Sequence, residues 1–163
     1  MGEKRLGIGF IGGGFIARFH IKSLIGVRDA DVLGVVSKSR DTAEEAAILA
    51  REIGVGDAKA YDSITDMVAD NNIHALWICA PNFTRIEVME EIVHAIETGK
   101  GELIGVTCEK PLGRNVAEAR KMLELAQSSN LLDGYLENQI FAPSVTRGKE
   151  IVWARGAALT GPP

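Results

Sequence analysis

The chain has 163 residues, of which 46% are hydrophobic and 25% charged, a balance that favours one folded domain over a disordered chain. The formal net charge is −4 and no basic stripe is present, which argues against a nucleic-acid partner. No apolar stretch approaches the roughly 20 residues that cross a bilayer, and residues 1–5 lead into a strand rather than a signal peptide, so we expect no membrane association and a cytoplasmic location.

Strand and helix signals alternate along the chain, as in a parallel sheet with crossover helices. The pattern predicts strands at residues 6–11, 31–36, 74–80, 103–108 and 131–137, with a short extended piece near 58–61. Helices are predicted near residues 14–25, 41–53 and 84–98. Right-handed crossovers arrange these strands as a doubly wound α/β sheet of the Rossmann type, whose ligand crevice lies outside the carboxyl ends of the strands. Functional residues are therefore expected directly after strands.

Two further helices are predicted from their start signals. Ser63 is expected to cap a helix that ends near residue 70. Asn115, with Glu118 three residues later, resembles a capping box at the start of a helix that ends near residue 129.

The first strand ends in a glycine-rich turn typical of dinucleotide-binding proteins. Gly12, Gly14 and Ala17 form the pattern GxGxxA, in which the first allows a tight exit from the strand, the second lets amides approach a pyrophosphate and the third lets the helix pack closely. The helix start supplies unpaired N–H groups and a positive dipole end. The predicted cofactor-binding residues of this turn are Gly12, Gly13, Gly14, Phe15, Ile16 and Ala17. The alternative is a tight packing turn without a ligand.

The second strand ends where an Asp or Glu normally holds the adenosine ribose 2′-hydroxyl. This chain has Ser37, Lys38, Ser39 and Arg40 there. With no carboxylate to repel a 2′-phosphate and two cations to receive one, the segment favours NADP over NAD. Alternatively, Ser39 caps the following helix, Lys38 and Arg40 point into water, and Ser37 still accommodates NAD.

The fourth strand delivers Ala80, Pro81 and Asn82 to the crevice. Pro81 ends the strand because it lacks an amide hydrogen. Asn82 is expected to cap the next helix, or else to contact the cofactor. Arg85, one turn further on, is expected either to meet a phosphate or to lie on the surface.

The fifth strand ends in Glu109, Lys110 and Pro111. A lysine at the mouth of an open α/β sheet can be partly desolvated, which suits it to proton transfer at neutral pH. We expect Glu109 to orient this lysine and Pro111 to fix the backbone, with the Lys110–Pro111 bond a candidate for the cis form. Lys110 is therefore the candidate catalytic residue, and the alternative is an ordinary Lys-Pro loop.

No metal site is predicted. Cys79 and Cys108 lie at strand ends, where buried thiols are ordinary packing residues, and they lack a CxxC spacing. His20, His74 and His94 show no ligand spacing with one another or with carboxylates.

From residue 143 the pattern changes to one more helix and then to a small-residue segment that ends on Pro162 and Pro163. We assign residues 1–142 to a dinucleotide-binding domain and residues 143–163 to a linker helix and the start of a second domain. Because no capping element follows this helix, we expect the chain to be incomplete.

Three segments together resemble the Gfo/Idh/MocA oxidoreductase family: GFIGGGFIARFH, APN after the fourth strand, and CEKPL after the fifth. The resemblance covers nearly the whole chain. It implies that a nicotinamide cofactor binds at Gly12 to Ala17, that Lys110 lies near the nicotinamide and assists transfer of the hydroxyl proton, and that Asn138 lies close to the same pocket. Glu109 and Pro111 would shape the lysine loop. Family members oxidise or reduce a hydroxyl-bearing carbon of sugars, inositols or related small molecules.

This chain departs from the family in two respects. The family often carries a histidine near the position of Arg85, and the family's second α/β domain, which supplies most of the substrate pocket and the usual dimer surface, is absent here. The resemblance therefore implies an enzyme that is a homo-oligomer at full length, while this chain holds the cofactor without turning over a polyol or sugar substrate. A non-catalytic dinucleotide-binding sensor is the alternative. A methyltransferase-like Rossmann enzyme is disfavoured by the EKP segment.

Overall fold

The computed structural model describes residues 5–155, and over this range strands and helices alternate as predicted. The strands are β1 (Leu6–Ile11), β2 (Ala30–Val36), β3 (Lys59–Ala60), β4 (Ala75–Ile78), β5 (Gly105–Glu109) and β6 (Leu132–Leu136). The helices are α1 (Phe15–Ser23), α2 (Arg40–Glu52), α3 (Ile64–Val68), α4 (Arg85–Glu97), α5 (Val116–Ser128) and α6 (Pro143–Ala154). Short 3₁₀ turns lie at Leu24–Gly26, Asn82–Thr84 and Asn138–Phe141.

The strands form one parallel sheet in the order β3-β2-β1-β4-β5-β6. The chain starts in the middle of this sheet, builds outward to β3, returns to β4 and then builds outward to β6. The direction of winding therefore reverses between β1 and β4, and in such sheets a crevice opens at that point beyond the carboxyl ends of the strands. This order confirms the predicted doubly wound α/β fold.

Each face of the sheet carries its own hydrophobic core. One core joins β1 and β2 to α1 and α2 and includes the fully buried Phe10, Ile21 and Val32. The other joins the sheet to α3, α4 and α5 and includes Leu76 and Met89. Burying each large side chain of this kind contributes about 1.5–3 kcal/mol, so the two cores hold the strand ends at fixed positions.

Helix α2 approaches the sheet closely because its buried face consists of small side chains. This face is formed by Ala43, Ala46, Ala47 and Ala50, all of which are fully buried. The turn that precedes α2 is thereby brought close to the turn that follows β1.

The predicted start signals are confirmed with one difference. The Ser63 side chain accepts a hydrogen bond from the Asp66 amide at 3.0 Å, and the Asn115 side chain accepts one from the Glu118 amide at 3.0 Å. The Glu118 carboxylate does not complete the capping box, because it accepts from the amide and the guanidinium of Arg114 instead, at 2.7 and 2.8 Å. Only half of the expected box is formed.

The C-terminal part of the described chain is more exposed than the rest. Strand β6 lies at the sheet edge, where Leu132 and Tyr135 are exposed, and α6 exposes Trp153. Helix α6 begins at Pro143, where the sequence predicted one more helix. The small-residue segment predicted to follow it falls at residues 156–163, outside the described residues.

Two further observations concern membrane spans and metal ions. Every helix within residues 5–155 is too short or too polar to cross a lipid bilayer. Across the same residues, no group of three or more His, Cys, Asp or Glu side chains is arranged to hold a metal ion.

Asp70 anchors the connection between β3 and β4. Its carboxylate accepts hydrogen bonds from the Tyr61 hydroxyl at 2.6 Å and from the Asn72 amide at 3.0 Å, and it lies 3.1 Å from the Lys59 ammonium. The hydrogen bonds from Tyr61 and Asn72 hold the pKa of the Asp70 carboxyl well below its ordinary value. Burial and the neighbouring Asp70 carboxylate raise the pKa of Tyr61 to about 12.

The pKa of the Asp70 carboxyl in the folded state lies below its ordinary value of 3.8. The ionised carboxylate therefore contributes its full stabilisation well above pH 3.8, and this contribution is lost as the pH falls through the folded-state pKa. We expect Asp70→Asn to lower the free energy of unfolding by about 2 kcal/mol at pH 7, and the difference from wild type to shrink below pH 3.8. Urea unfolding from pH 7 into the acid range measures this. Asp133→Asn, at an exposed position of β6, is the control, and an equal loss there would contradict the assignment.

Candidate functional site

The turn after β1 has the backbone that its glycines predicted. Gly12 has a φ of +103° and donates its amide to the Val36 carbonyl at 2.7 Å. A Cβ at this position would lie 3.1 Å from the Ala80 nitrogen. Both the left-handed backbone and the close approach of the β4 loop therefore require glycine here.

The next two glycines differ in their surroundings. A Cβ at Gly13 would lie 2.5 Å from the Thr42 carbonyl oxygen, so Gly13 allows α2 to pack against the turn. A Cβ at Gly14 would meet nothing within 4 Å. Gly14 also lines a cleft beyond the strand ends, so the space in front of its backbone is open to a ligand.

Helix α1 begins at this open position with free donors. Within the described chain, the amides of Phe15 and Ile16 donate to no protein acceptor, and the first turn of α1 contains no acidic side chain. Arg18 donates to the Gly13 carbonyl at 2.9 Å and thereby holds the turn in place. Free amides at the positive end of a helix dipole form a site for an anion such as phosphate.

A cleft of about 1020 Å³ extends from this turn across the carboxyl ends of β1, β2, β3 and β4. Nine of the predicted cofactor-binding residues line it: Gly12, Gly13, Gly14, Phe15, Ile16, Ser37, Lys38, Ala80 and Pro81. The others do not line it: Ala17, Ser39, Arg40, Asn82, Glu109, Lys110, Pro111 and Asn138. Ala17 is fully buried beneath the turn, as its helix-packing role predicted.

The end of β2 departs from the charge pattern that the sequence predicted. Arg40 donates from its guanidinium to the carboxylate of Asp62, which follows β3 and lines the same cleft. Residues 37–40 themselves contain no carboxylate, as the sequence shows, but β3 pairs with β2 and brings Asp62 beside them. Ser39 occupies the N-cap position of α2, but its side chain makes no capping hydrogen bond.

The β4 loop also differs from expectation. A 3₁₀ turn at Asn82–Thr84 lies between the strand and α4, so Thr84 rather than Asn82 occupies the N-cap position of α4. The Thr84 hydroxyl donates to the Pro81 carbonyl at 2.9 Å. The expected capping role of Asn82 was wrong for this reason.

Arg85 lies in neither of the places that the sequence suggested. It is only 4% exposed and donates to the Ala80 carbonyl at 2.9 Å. Its guanidinium also donates to the carbonyls of Glu109 and Pro111. Arg85 therefore joins the loop after β4 to the loop after β5, instead of meeting a phosphate or lying on the surface.

Glu109 is a second buried charged group at this end of the sheet. One carboxylate oxygen lies 2.7 Å from Nε2 of His20, and the other accepts from the Lys110 amide at 2.9 Å. Glu109 thus orients Lys110 through the main chain. The Lys110–Pro111 bond is cis, and the Lys110 side chain is exposed. Residues 5–155 do not bury Lys110, so they do not supply the desolvation that the sequence led us to expect for it.

The two cysteines are packing residues, as predicted. Burial raises the pKa of the Cys79 thiol to about 12, with a further contribution from the Glu109 carboxylate. Burial also raises the pKa of the Cys108 thiol to about 11. Both thiols are therefore protonated at neutral pH and are poor nucleophiles.

The contacts of three residues were not predicted, although the sequence contains signals for them. Arg85 shares a helical stripe with the buried Met89 and Ile92, and His20 shares one with Ala17 and Ile21. A polar residue on an apolar helix face needs a buried partner. Asp62 follows a strand that neighbours β2, which places it at the same sheet edge as residues 37–40.

The comparisons with known proteins agree with this geometry. A family model described as an oxidoreductase family with an NAD-binding Rossmann fold matches residues 6–133. A 1,5-anhydro-D-fructose reductase from Ensifer adhaerens is 31% identical over 126 residues, which cover 77% of this chain and 34% of that protein. A D-xylose 1-dehydrogenase (NADP(+)) from Hypocrea jecorina is 31% identical over 131 residues, which cover 76% of this chain and 32% of that protein. The chain spans about a third of the length of these relatives.

Among solved structures, GenD2 from gentamicin A biosynthesis in complex with NAD superimposes with a TM-score of 0.74. It is 23% identical in sequence, and the match covers 91% of this chain and 39% of that one. This similarity confirms the fold.

The buried contacts of Arg85 predict a large effect of its removal. We expect Arg85→Ala to lower the free energy of unfolding by about 2–4 kcal/mol, because three carbonyl groups lose their donor. Arg120→Ala removes the same side chain from an exposed position of α5 and should change stability by less than about 0.5 kcal/mol. Urea unfolding of both variants measures the difference, and similar losses would show that the Arg85 contacts are not stabilising.

Proposed function

Because the chain belongs to the Gfo/Idh/MocA oxidoreductase family, we propose that it is the nucleotide-binding part of an NAD(P)-dependent dehydrogenase or reductase. The observation that carries this proposal is the open cleft in front of Gly14. The substrate class that we propose is a sugar, inositol or similar small molecule with a hydroxyl-bearing carbon. The two relatives whose names refer to anhydrofructose and xylose support this class.

The size of the cleft and the free amides at its edge support a dinucleotide as its ligand. Its volume of about 1020 Å³ is at the upper end of the range for small-molecule sites. The amides of Phe15 and Ile16 would receive the pyrophosphate, and Ser37 and Lys38 would lie toward the adenosine ribose, where we propose a preference for NADP over NAD. A bound nicotinamide dinucleotide would supply hydride transfer.

We propose Lys110 as the residue that holds or delivers the proton of the substrate hydroxyl. Its main chain is positioned by the Glu109 carboxylate and, through the carbonyls on either side of it, by Arg85. Pro111 and Asn138 would lie near the same pocket. Since Lys110 is exposed among the described residues, we propose that a second domain completes the pocket around it.

The same proposal includes the organisation of the whole protein. Residues 1–142 would form the dinucleotide-binding domain, and residues 143–163 would form a linker helix and the start of the second domain. The beginning of α6 at Pro143 supports this boundary. We also propose a cytoplasmic location and a homo-oligomer for the full-length protein.

Gly14→Asp tests the dinucleotide site directly. Aspartate is favourable at a helix N-cap, so we expect the variant to be as stable as wild type. Its carboxylate would compete for the free amides of α1 and repel a pyrophosphate, so we expect NADPH and NADH to bind at least about tenfold more weakly. Fluorescence titration of both nucleotides measures the affinity.

Gly26→Asp provides the matched control, because a Cβ at Gly26 also meets nothing within 4 Å and the charge change is the same. It should bind both nucleotides as wild type does. If the Gly14 variant binds them equally well, the proposed site is wrong.

The role of Lys110 is testable in the protein encoded by the complete reading frame. We expect Lys110→Ala to lower turnover by about a hundredfold or more, because the substrate proton loses its carrier, while the dissociation constant of NADPH stays within about threefold. Steady-state kinetics with candidate sugars and polyols, together with nucleotide titration, separate the two effects.

Lys100→Ala is the control for this experiment, since Lys100 precedes β5 and Lys110 follows it. Unchanged turnover in the Lys110 variant would overturn the assignment. Nucleotide binding without turnover in any wild-type assay would favour a dinucleotide sensor.

A further inference from the structure

Asp62 and Arg40 form an ion pair at the rim of the cleft. Their strands, β3 and β2, are neighbours in the sheet, so the residues that follow them meet at the same edge. The Arg40 guanidinium donates to the Asp62 carboxylate, and the Asp62 side chain is 84% exposed. Asp62 and Lys38 line the cleft together, whereas Arg40 does not line it.

This pairing changes the charge that a nucleotide would meet. The sequence segment after β2 contains two cations, but Arg40 is engaged by a carboxylate. Among the described residues that line the cleft, the charged ones are Lys38, Asp62 and Glu91, so its lining carries two negative groups for one positive group. An anionic ligand group near residues 37–40 therefore meets one free cation and a carboxylate rather than two cations.

We propose that Asp62 is a specificity-determining residue that limits the preference of this chain for a dinucleotide with a 2′-phosphate. It does so by holding Arg40 and by placing its own negative charge in the cleft. A 2′-phosphate carries close to two negative charges, whereas the 2′-hydroxyl of NAD carries none, so the repulsion falls chiefly on NADP and NADPH. This inference rests on the proposed function, because it assumes that the cleft binds a nicotinamide dinucleotide.

The inference predicts a selective change in affinity. We expect Asp62→Asn to tighten NADPH binding by about five- to tenfold, because Arg40 is released and the carboxylate is removed. NADH binding should stay within about twofold of wild type. The gain for NADPH should decrease as the salt concentration rises, since exposed charges are screened.

Fluorescence titration of NADPH and NADH at low and high salt tests this, with the melting temperature as a check on folding. Asp57→Asn is the matched control, because it removes the same charge from an exposed position before β3 that does not line the cleft. The double variant Arg40→Gln with Asp62→Asn should lose part of the gain, because released Arg40 carries that part.

The two proposals fail in different ways. If wild type binds both nucleotides but Asp62→Asn alters their affinities equally, or no more than Asp57→Asn does, the inference about Asp62 is overturned. If wild type binds neither nucleotide, the proposed function is overturned and the inference with it. A selective gain for NADPH that the Arg40 variant reduces supports the inference.

Discussion

The site depends on one buried guanidinium. Only 4% of Arg85 is exposed, and burial of its charge is tolerated because Nε and Nη1 donate to main-chain carbonyls. Those carbonyls belong to Ala80 in the loop after β4 and to Glu109 and Pro111 in the loop after β5. The rim of the cleft and the loop that holds Lys110 are thereby one connected unit.

A second buried contact extends this unit to the glycine turn. His20 lies in α1, the helix that begins at the turn, and it contacts the Glu109 carboxylate whose other oxygen accepts from the Lys110 amide. The helix with the free amides and the proposed catalytic lysine are therefore connected through one carboxylate. Positioning of this kind places a reactive group relative to a cofactor without direct contact between them.

The sequence predicted what depends on near neighbours along the chain. The glycine turn, the Ser63 cap and the doubly wound class of the sheet all follow from local patterns and from the handedness of crossovers. It did not predict the Arg85, His20 or Asp62 contacts, because their partners are distant in sequence: His20 and Glu109 are 89 residues apart. Such a pair is recognisable only after the strand order has brought the strand ends together.

The alanine face of α2 has a consequence for how the proposed phosphate site can evolve. The thickness of the helix layer on this side of the sheet is set by side chains of a single carbon atom. A bulkier residue in that layer would lift α2 away from the sheet and carry the Thr42 carbonyl away from Gly13. The shape of the glycine turn thus depends partly on the distance between α2 and the sheet. Substitutions that increase this distance would loosen the turn without altering any glycine.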